Sequence, residues 1–513
     1  MTLRWHQARM NQVCDEILRG AHIRRIILSV TPGGGKSGHP VILAQRLLPH
    51  IAEKLLWIAP RNALKYQGEA EFTDPRWQTS RRLRACHGND EHADRGTDGY
   101  LTTFQAVGMK PDGHLQYMRR HPTILFLDEV HHISEDSAWA AAFKPMIEAA
   151  ELTVFATGTL ARGDGQAIAG LDYVDSMVDL RDTEHTRVIR YGRKQAIADG
   201  TILQVEPRTV DGAAKWESKE GIQKSVEKLS RADMSRADAI FTALRTEFAF
   251  QLLAECMADW QEHRKEYPQA KLLVVAPDIE TAKKYHERIA SLCLVDIATS
   301  EDSADARRVI DSYKRGAISA LVTVAMAYEG LSVPEITHIA CLTHIRSVPW
   351  LEQLFARGNR LAPGKRGAWV YGPADELFVR AQRMIEDEAL IALKPEDELF
   401  DNEVTSDPLE AFAGETGPKI KPLWSVAHGI EAELPKVEAP MIAPSVAEKT
   451  LIQNIRAMRH HIESTARPGS QKALMTVFNH TVRLVVDKSL ENMTSDELTA
   501  VWMKLRETFS GRL

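Results

Sequence analysis

Val30-Thr31-Pro32-Gly33-Gly34-Gly35-Lys36-Ser37 sits near the start of a 513-residue chain. It follows an apolar, β-branched run, Ile26-Ile27-Leu28-Ser29-Val30, and leads into the helix-compatible Val41-Ile42-Leu43-Ala44-Gln45. Strand, glycine loop and helix in succession make a phosphate cradle. Glycines let backbone N–H groups converge, and the helix N-terminus adds partial positive charge. In such a cradle Pro32, Gly33, Gly34 and Gly35 shape the loop, Lys36 meets the β- and γ-phosphates, and Ser37 holds Mg2+. The strict spacing G-x-x-x-x-G-K-[ST] is not met, because Val30 stands where its first glycine belongs. The alternative is a glycine-rich turn that happens to carry a lysine.

A second signal lies about ninety residues on. The apolar run Thr123-Ile124-Leu125-Phe126-Leu127 delivers two adjacent carboxylates, Asp128 and Glu129, followed by Val130 and His131. Asp128 suits Mg2+ bound through its water shell, and Glu129 suits a base that orients and deprotonates the attacking water. ATP and Mg2+ are therefore the expected cofactors.

The bulk numbers narrow the class. Apolar content of 44% and charged content of 26% fit a globular chain of several domains. A formal charge of −6 argues against a protein coated in basic charge, though not against a local basic groove. Cys14, Cys86, Cys256, Cys293 and Cys341 lie far apart, with no paired spacing for a disulfide frame or zinc ribbon. The first residues hold no apolar signal core, and no run approaches the ~18 apolar residues of a membrane span. A cytoplasmic protein with no membrane partner is expected.

Loop and acidic box together resemble the superfamily 2, DExH-type helicases and translocases (DEAD/DEAH-like, with a type III restriction-subunit-like branch). Their short loop Thr-Pro-Gly-x-Gly-Lys-Ser matches here. Leu3-Arg4-Trp5-His6-Gln7 is similar to the opening "L-R-x-x-Q", in which Gln7 would read the adenine edge. Ala59-Pro60-Arg61-Asn62 and Thr102-Thr103-Phe104-Gln105 resemble segments that touch nucleic-acid backbone, which implies contacts from Arg61, Asn62, Thr102 and Thr103. Thr157-Gly158-Thr159-Leu160-Ala161-Arg162 resembles "S/T-G/A-T-P-x-R", with Leu160 in place of proline. The resemblance makes His131, Thr157 and Thr159 coupling residues, with His132 a bystander.

The second half fits the same pattern. Ala327-Tyr328-Glu329-Gly330-Leu331-Ser332-Val333-Pro334 resembles "T-D-x-x-x-E-G-x-D-x-P", which puts Gly330 near the nucleotide. Val324-Ala325 replaces Thr-Asp and Ser332 replaces aspartate, so Thr323 is left as the candidate nucleic-acid contact. Gln353-Leu354-Phe355-Ala356-Arg357-Gly358-Asn359-Arg360 resembles "Q-x-x-G-R-x-x-R". Arg357 and Arg360, spaced i, i+3, are the implied arginine fingers, and Gln353 a coupling residue.

The expected fold is α/β, two RecA-like parallel-sheet domains in tandem (residues 1–183 and 184–392) with a small C-terminal helical domain. Residues 393–445 read as an acidic, proline-rich linker, and 446–513 as helices that offer a surface to DNA or a protein partner. A long helical stretch is expected over roughly 232–265. The implied activity is ATP-dependent movement on nucleic acid, DNA before RNA, in phage or bacterial replication, repair or defence. An RNA helicase, a nucleotide-dependent clamp that does not unwind, and a P-loop kinase are the alternatives.

Overall fold

The computed structural model describes residues 3–86, 95–162, 164–232, 236–299, 304–324, 331–388, 420–430, 432–434, 446–465, 468–485, 493 and 495–509. The chain divides into two compact units, Met1–Pro435 and Lys436–Leu513.

Unit one holds two large sheets. The first contains β1 (Arg25–Val30), β2 (Lys54–Ala59), β3 (Arg84–Ala85), β4 (Gly99–Thr103), β5 (Thr123–Asp128) and β6 (Leu152–Thr157). After a two-stranded hairpin, β7 (Tyr173–Val174) and β8 (Met177–Val178), β9 (Thr186–Tyr191) completes it. The order is β3-β4-β2-β5-β6-β1-β9, and every pairing is parallel. Parallel strands need crossover helices on both faces, so the strands read as continuous apolar runs and not as alternation. Leu55, Leu56, Trp57 and Ile58 are all buried accordingly.

The second sheet has the order β10-β17-β16-β13-β15-β14, again all parallel. Its strands are β10 (Val205–Val210), β13 (Lys271–Ala276), β14 (Val295–Ala298), β15 (Ala320–Val324), β16 (Ile336–Cys341) and β17 (Ala368–Pro373). Between β10 and β13 the chain adds β11 (Gly212–Glu217) and β12 (Gln223–Val226). These pair antiparallel with β18 (Lys421–Ala427) in the order β12-β11-β18.

One expectation is corrected here and another refined. Part of the stretch read as an acidic, proline-rich linker is a strand, β18, docked on β11. The helical stretch expected over roughly 232–265 is found, divided into two helices, Arg236–Ala243 and Glu247–Glu266. Thr246 breaks it by adopting extended backbone (φ −127°, ψ −163°). The new N-terminus is served from β18, where the buried Ser425 Oγ accepts the Phe248 N–H at 3.0 Å.

Unit two contains the helices Val446–Thr465, Pro468–Val485 and Ser495–Phe509 around Ile455, Ile462, Phe478, Val501 and Leu505. Thr494, the expected cap of the last helix, lies outside the described residues. No helix among the described residues is long and apolar enough to cross a membrane.

Candidate active site

The loop after β1 is held from behind. Gly33 and Gly35 take φ of 85° and 93°, a region that side chains with a Cβ enter at a cost. A Cβ on Gly35 would also lie 2.5 Å from Arg4 Nη1. Arg4 donates to the Gly34 carbonyl, which also lies 3.0 Å from His6 Nε2, and Gln7 Nε2 donates to Gly35 O at 3.3 Å. Gln7 Oε1 accepts the Arg4 N–H at 3.1 Å. Gln7 is 4% exposed, so the structure places it behind the loop with both ends of its amide engaged. Burial, with each ring beside the other, pushes His6 down to about 3, and burial pushes His39 down to about 4.

In front of the loop, Lys36 Nζ lies 2.9 Å from Asp128 Oδ1 and pairs as well with Glu129 Oε1. Burial opposes its charge, yet the two carboxylates outweigh burial and hold it above the ordinary lysine value. Burial pushes Asp128 up, against the pull of Lys36. Glu129 goes the other way. Burial would raise it, but Lys36 and His131 bring it down to about 2. Trp57 Nε1–H donates to Asp128 Oδ2 at 3.3 Å, and Gly158 N–H donates to Glu129 Oε2 at 3.0 Å.

Thr157 and Thr159 extend this network. The Thr157 hydroxyl donates to the Thr159 carbonyl, so it accepts from His131, whose Nδ1 lies 2.9 Å away and carries the hydrogen. The same Nδ1 is 3.4 Å from Glu129 Oε2. Arg162, outside the expected site residues, donates from Nη1 to the His131 carbonyl at 2.7 Å and pairs with Asp164 at 2.6 Å.

The cleft over Lys36, about 220 Å³, is lined from both sheets of unit one. The first contributes Pro32, Gly33, Lys36, Ser37, Asp128 and Glu129; the second contributes Gln353, Arg357 and Arg360. Leu64, Gln67 and His132 also line it, so the expected bystander faces the cleft. Asn359, missed in the sequence, is completely buried and donates from Nδ2 to the Pro32 carbonyl at 2.9 Å. Its Oδ1 occupies the space a Cβ on Gly33 would need. Arg357 Nη1 donates to Leu331 O at 3.0 Å, and Arg360 Nη1 donates to the Ser332 hydroxyl.

The remaining expected residues are spread differently. Ser37 donates to Glu71 Oε2 at 3.2 Å. Asn62 is exposed and Arg61 half-buried at the start of the helix after β2. Thr103 caps the helix after β4, its hydroxyl accepting the Ala106 N–H at 3.2 Å. Thr102 and Thr323 are 1% and 2% exposed and do not reach the surface, and the Thr323 hydroxyl donates to Ala298 O at 2.8 Å. Gly330 lies outside the described residues.

Residues 1–162 match the family described as type III restriction enzyme, res subunit. An uncharacterized protein of Mycobacterium tuberculosis is 24% identical over 435 residues, 82% of this chain and 69% of that one. A Schizosaccharomyces pombe protein, named as a candidate mitochondrial ATP-dependent helicase, is 25% identical over 391 residues, 73% of this chain and 57% of that one. The solved structure of the ATP-dependent type ISP restriction-modification enzyme LlaBIII bound to DNA superposes with a TM-score of 0.51 at 12% identity. That match covers 99% of this chain and 38% of LlaBIII, and is a likeness of fold. The chain thus folds as two parallel-sheet domains in tandem, RecA-like in form, and its residues 1–162 carry the likeness to the res-subunit family.

Proposed function

We propose that the chain is an ATP-dependent helicase or translocase that acts on DNA and couples ATP hydrolysis to movement along a strand. One observation carries this reading: acids and lysine from one sheet and two arginines from the other line a single cleft. Lys36 and Arg360 take phosphate charge, and Arg357 supports the developing charge on the terminal phosphate. Glu129 receives the proton of the attacking water. His131, Thr157 and Thr159 pass the state of Glu129 to the second sheet through Gly158, which packs between Pro32 and Gln353. A hydroxyl and a carboxylate, Ser37 and Asp128, fit a hard cation that keeps its waters, and Mg2+ held there would neutralise phosphate charge. Gln7, with both ends of its amide engaged, is proposed to brace the phosphate loop. Half-buried Arg61 and exposed Asn62 are the proposed backbone contacts to DNA.

The test is the steady-state ATPase rate alone and with single-stranded DNA, duplex or forked DNA, and RNA. Strong stimulation by DNA is expected. Stimulation by RNA alone would move the substrate to RNA, and slow turnover indifferent to every polymer would replace the motor with a clamp.

A further inference from the structure

Two other guanidiniums in this chain, one buried and one largely covered, carry a carboxylate. Arg346 lies 3.0 Å from Asp375, and Arg162 lies 2.6 Å from Asp164. Arg360 is different. It lines the cleft, is pushed down to about 9 by burial and by the Arg357 guanidinium beside it, and forms no ion pair among the described residues. Its Nη1 donates to the Ser332 hydroxyl, and its Nε is buried without a partner. Lys365 fixes this arrangement. Its ammonium donates to Pro334 O at 2.9 Å, Gly358 O at 2.6 Å and Arg360 O at 3.0 Å, tying the segment that carries Ser332 to the one that carries Arg360.

A hydroxyl orients a guanidinium without cancelling its charge, whereas a carboxylate would do both. A buried cation left without a counter-charge costs free energy that an arriving anion recovers. We propose that Ser332 is a positioning residue: it holds Arg360 aimed into the cleft and uncompensated, so that the terminal phosphate of a nucleoside triphosphate becomes its counter-charge and the site favours triphosphate over diphosphate. The inference rests on the reading of the cleft as an ATP site. A diphosphate leaves Arg360 as it was and gains little from it.

The measurement is the Kd of a non-hydrolysable ATP analogue and of ADP, by calorimetry with Mg2+, for the wild type, S332D, S332T and R360A. S332D supplies an internal counter-ion and should weaken the triphosphate analogue about tenfold or more while moving ADP less than about twofold. S332T keeps the hydroxyl and should keep the wild-type ratio, which also guards against a misfolded S332D. An equal effect of S332D on both nucleotides, or none on either, would overturn the role of Ser332. R360A separates the two levels. If R360A collapses the triphosphate preference while S332D does not, only the role of Ser332 falls; if R360A changes neither affinity nor turnover, the reading of Arg360 itself falls.

Discussion

Glu129 holds a left-handed backbone (φ 53°, ψ 50°) that a residue with a side chain adopts at a cost. The bend ends β5 abruptly and turns Glu129 toward Lys36 and Gly158 while Asp128 stays beneath Trp57. Two adjacent acids thereby acquire different surroundings. E129Q should keep ATP affinity and lower kcat by about 10²-fold or more; a normal turnover rate in that variant would remove Glu129 as the base. Lys36→Ala should abolish tight ATP binding and also destabilise the fold, by about 3–5 kcal/mol at neutral pH, because two buried carboxylates lose their shared cation. Comparing the urea midpoints of the two variants checks this, since E129Q leaves Lys36 one partner. The loop, Asp128, Glu129, His131 and the two arginines were legible because each motif is local and carries its own chemistry. Asn359, Arg162 and Ser332 were not. Their meaning lies in contacts with Pro32, His131 and Arg360, and sequence spacing does not encode contacts between distant motifs.

At the scale of elements, buried strands such as Leu55–Ala59 announced themselves as apolar runs, and both parallel sheets followed. β18 did not, because its pattern is inverted. Ser425 and Ala427 point inward, Ser425 committed to a helix N-terminus, while Trp424 is 50% exposed. Apolar alternation is therefore a poor guide on a strand whose inward position does polar work. The helix Val348–Phe355 makes a pH-dependent prediction. Burial raises Glu352 to about 8, against the pull of Arg193 and with help from Glu129 and Glu388. An acid whose folded pKa lies above its unfolded value, about 4.3, binds its proton more tightly when folded. Its contribution is present below the unfolded value and drains away as pH rises through 8. E352Q should match the wild type near pH 3.5 and exceed it at pH 8.5, by about 3–5 kcal/mol in unfolding free energy. Equal differences at both pH values would count against the burial of Glu352.

Over the whole of unit one, the Asn359–Pro32 hydrogen bond joins residues 327 positions apart in the chain. The same residue accepts the Leu203 N–H at 2.7 Å through its backbone carbonyl, so the segment before β10, the arginine motif and the phosphate loop meet at one residue, whose side chain makes the bond to the loop. Asn359→Ala should loosen that junction by about 1 kcal/mol. Fluorescence energy transfer between dyes on the two sheet domains should report a smaller closed fraction with a bound ATP analogue, and an unchanged distance distribution would exclude Asn359 from the coupling. The position of Lys36 bears on timing. While it lies between Asp128 and Glu129, the carboxylate held down to about 2 is a feeble proton acceptor. A triphosphate that draws the ammonium onto its own oxygens hands basicity back to Glu129. On the proposed reading, substrate arrival would then arm the residue that consumes it, and an empty cleft would rest with its trigger locked.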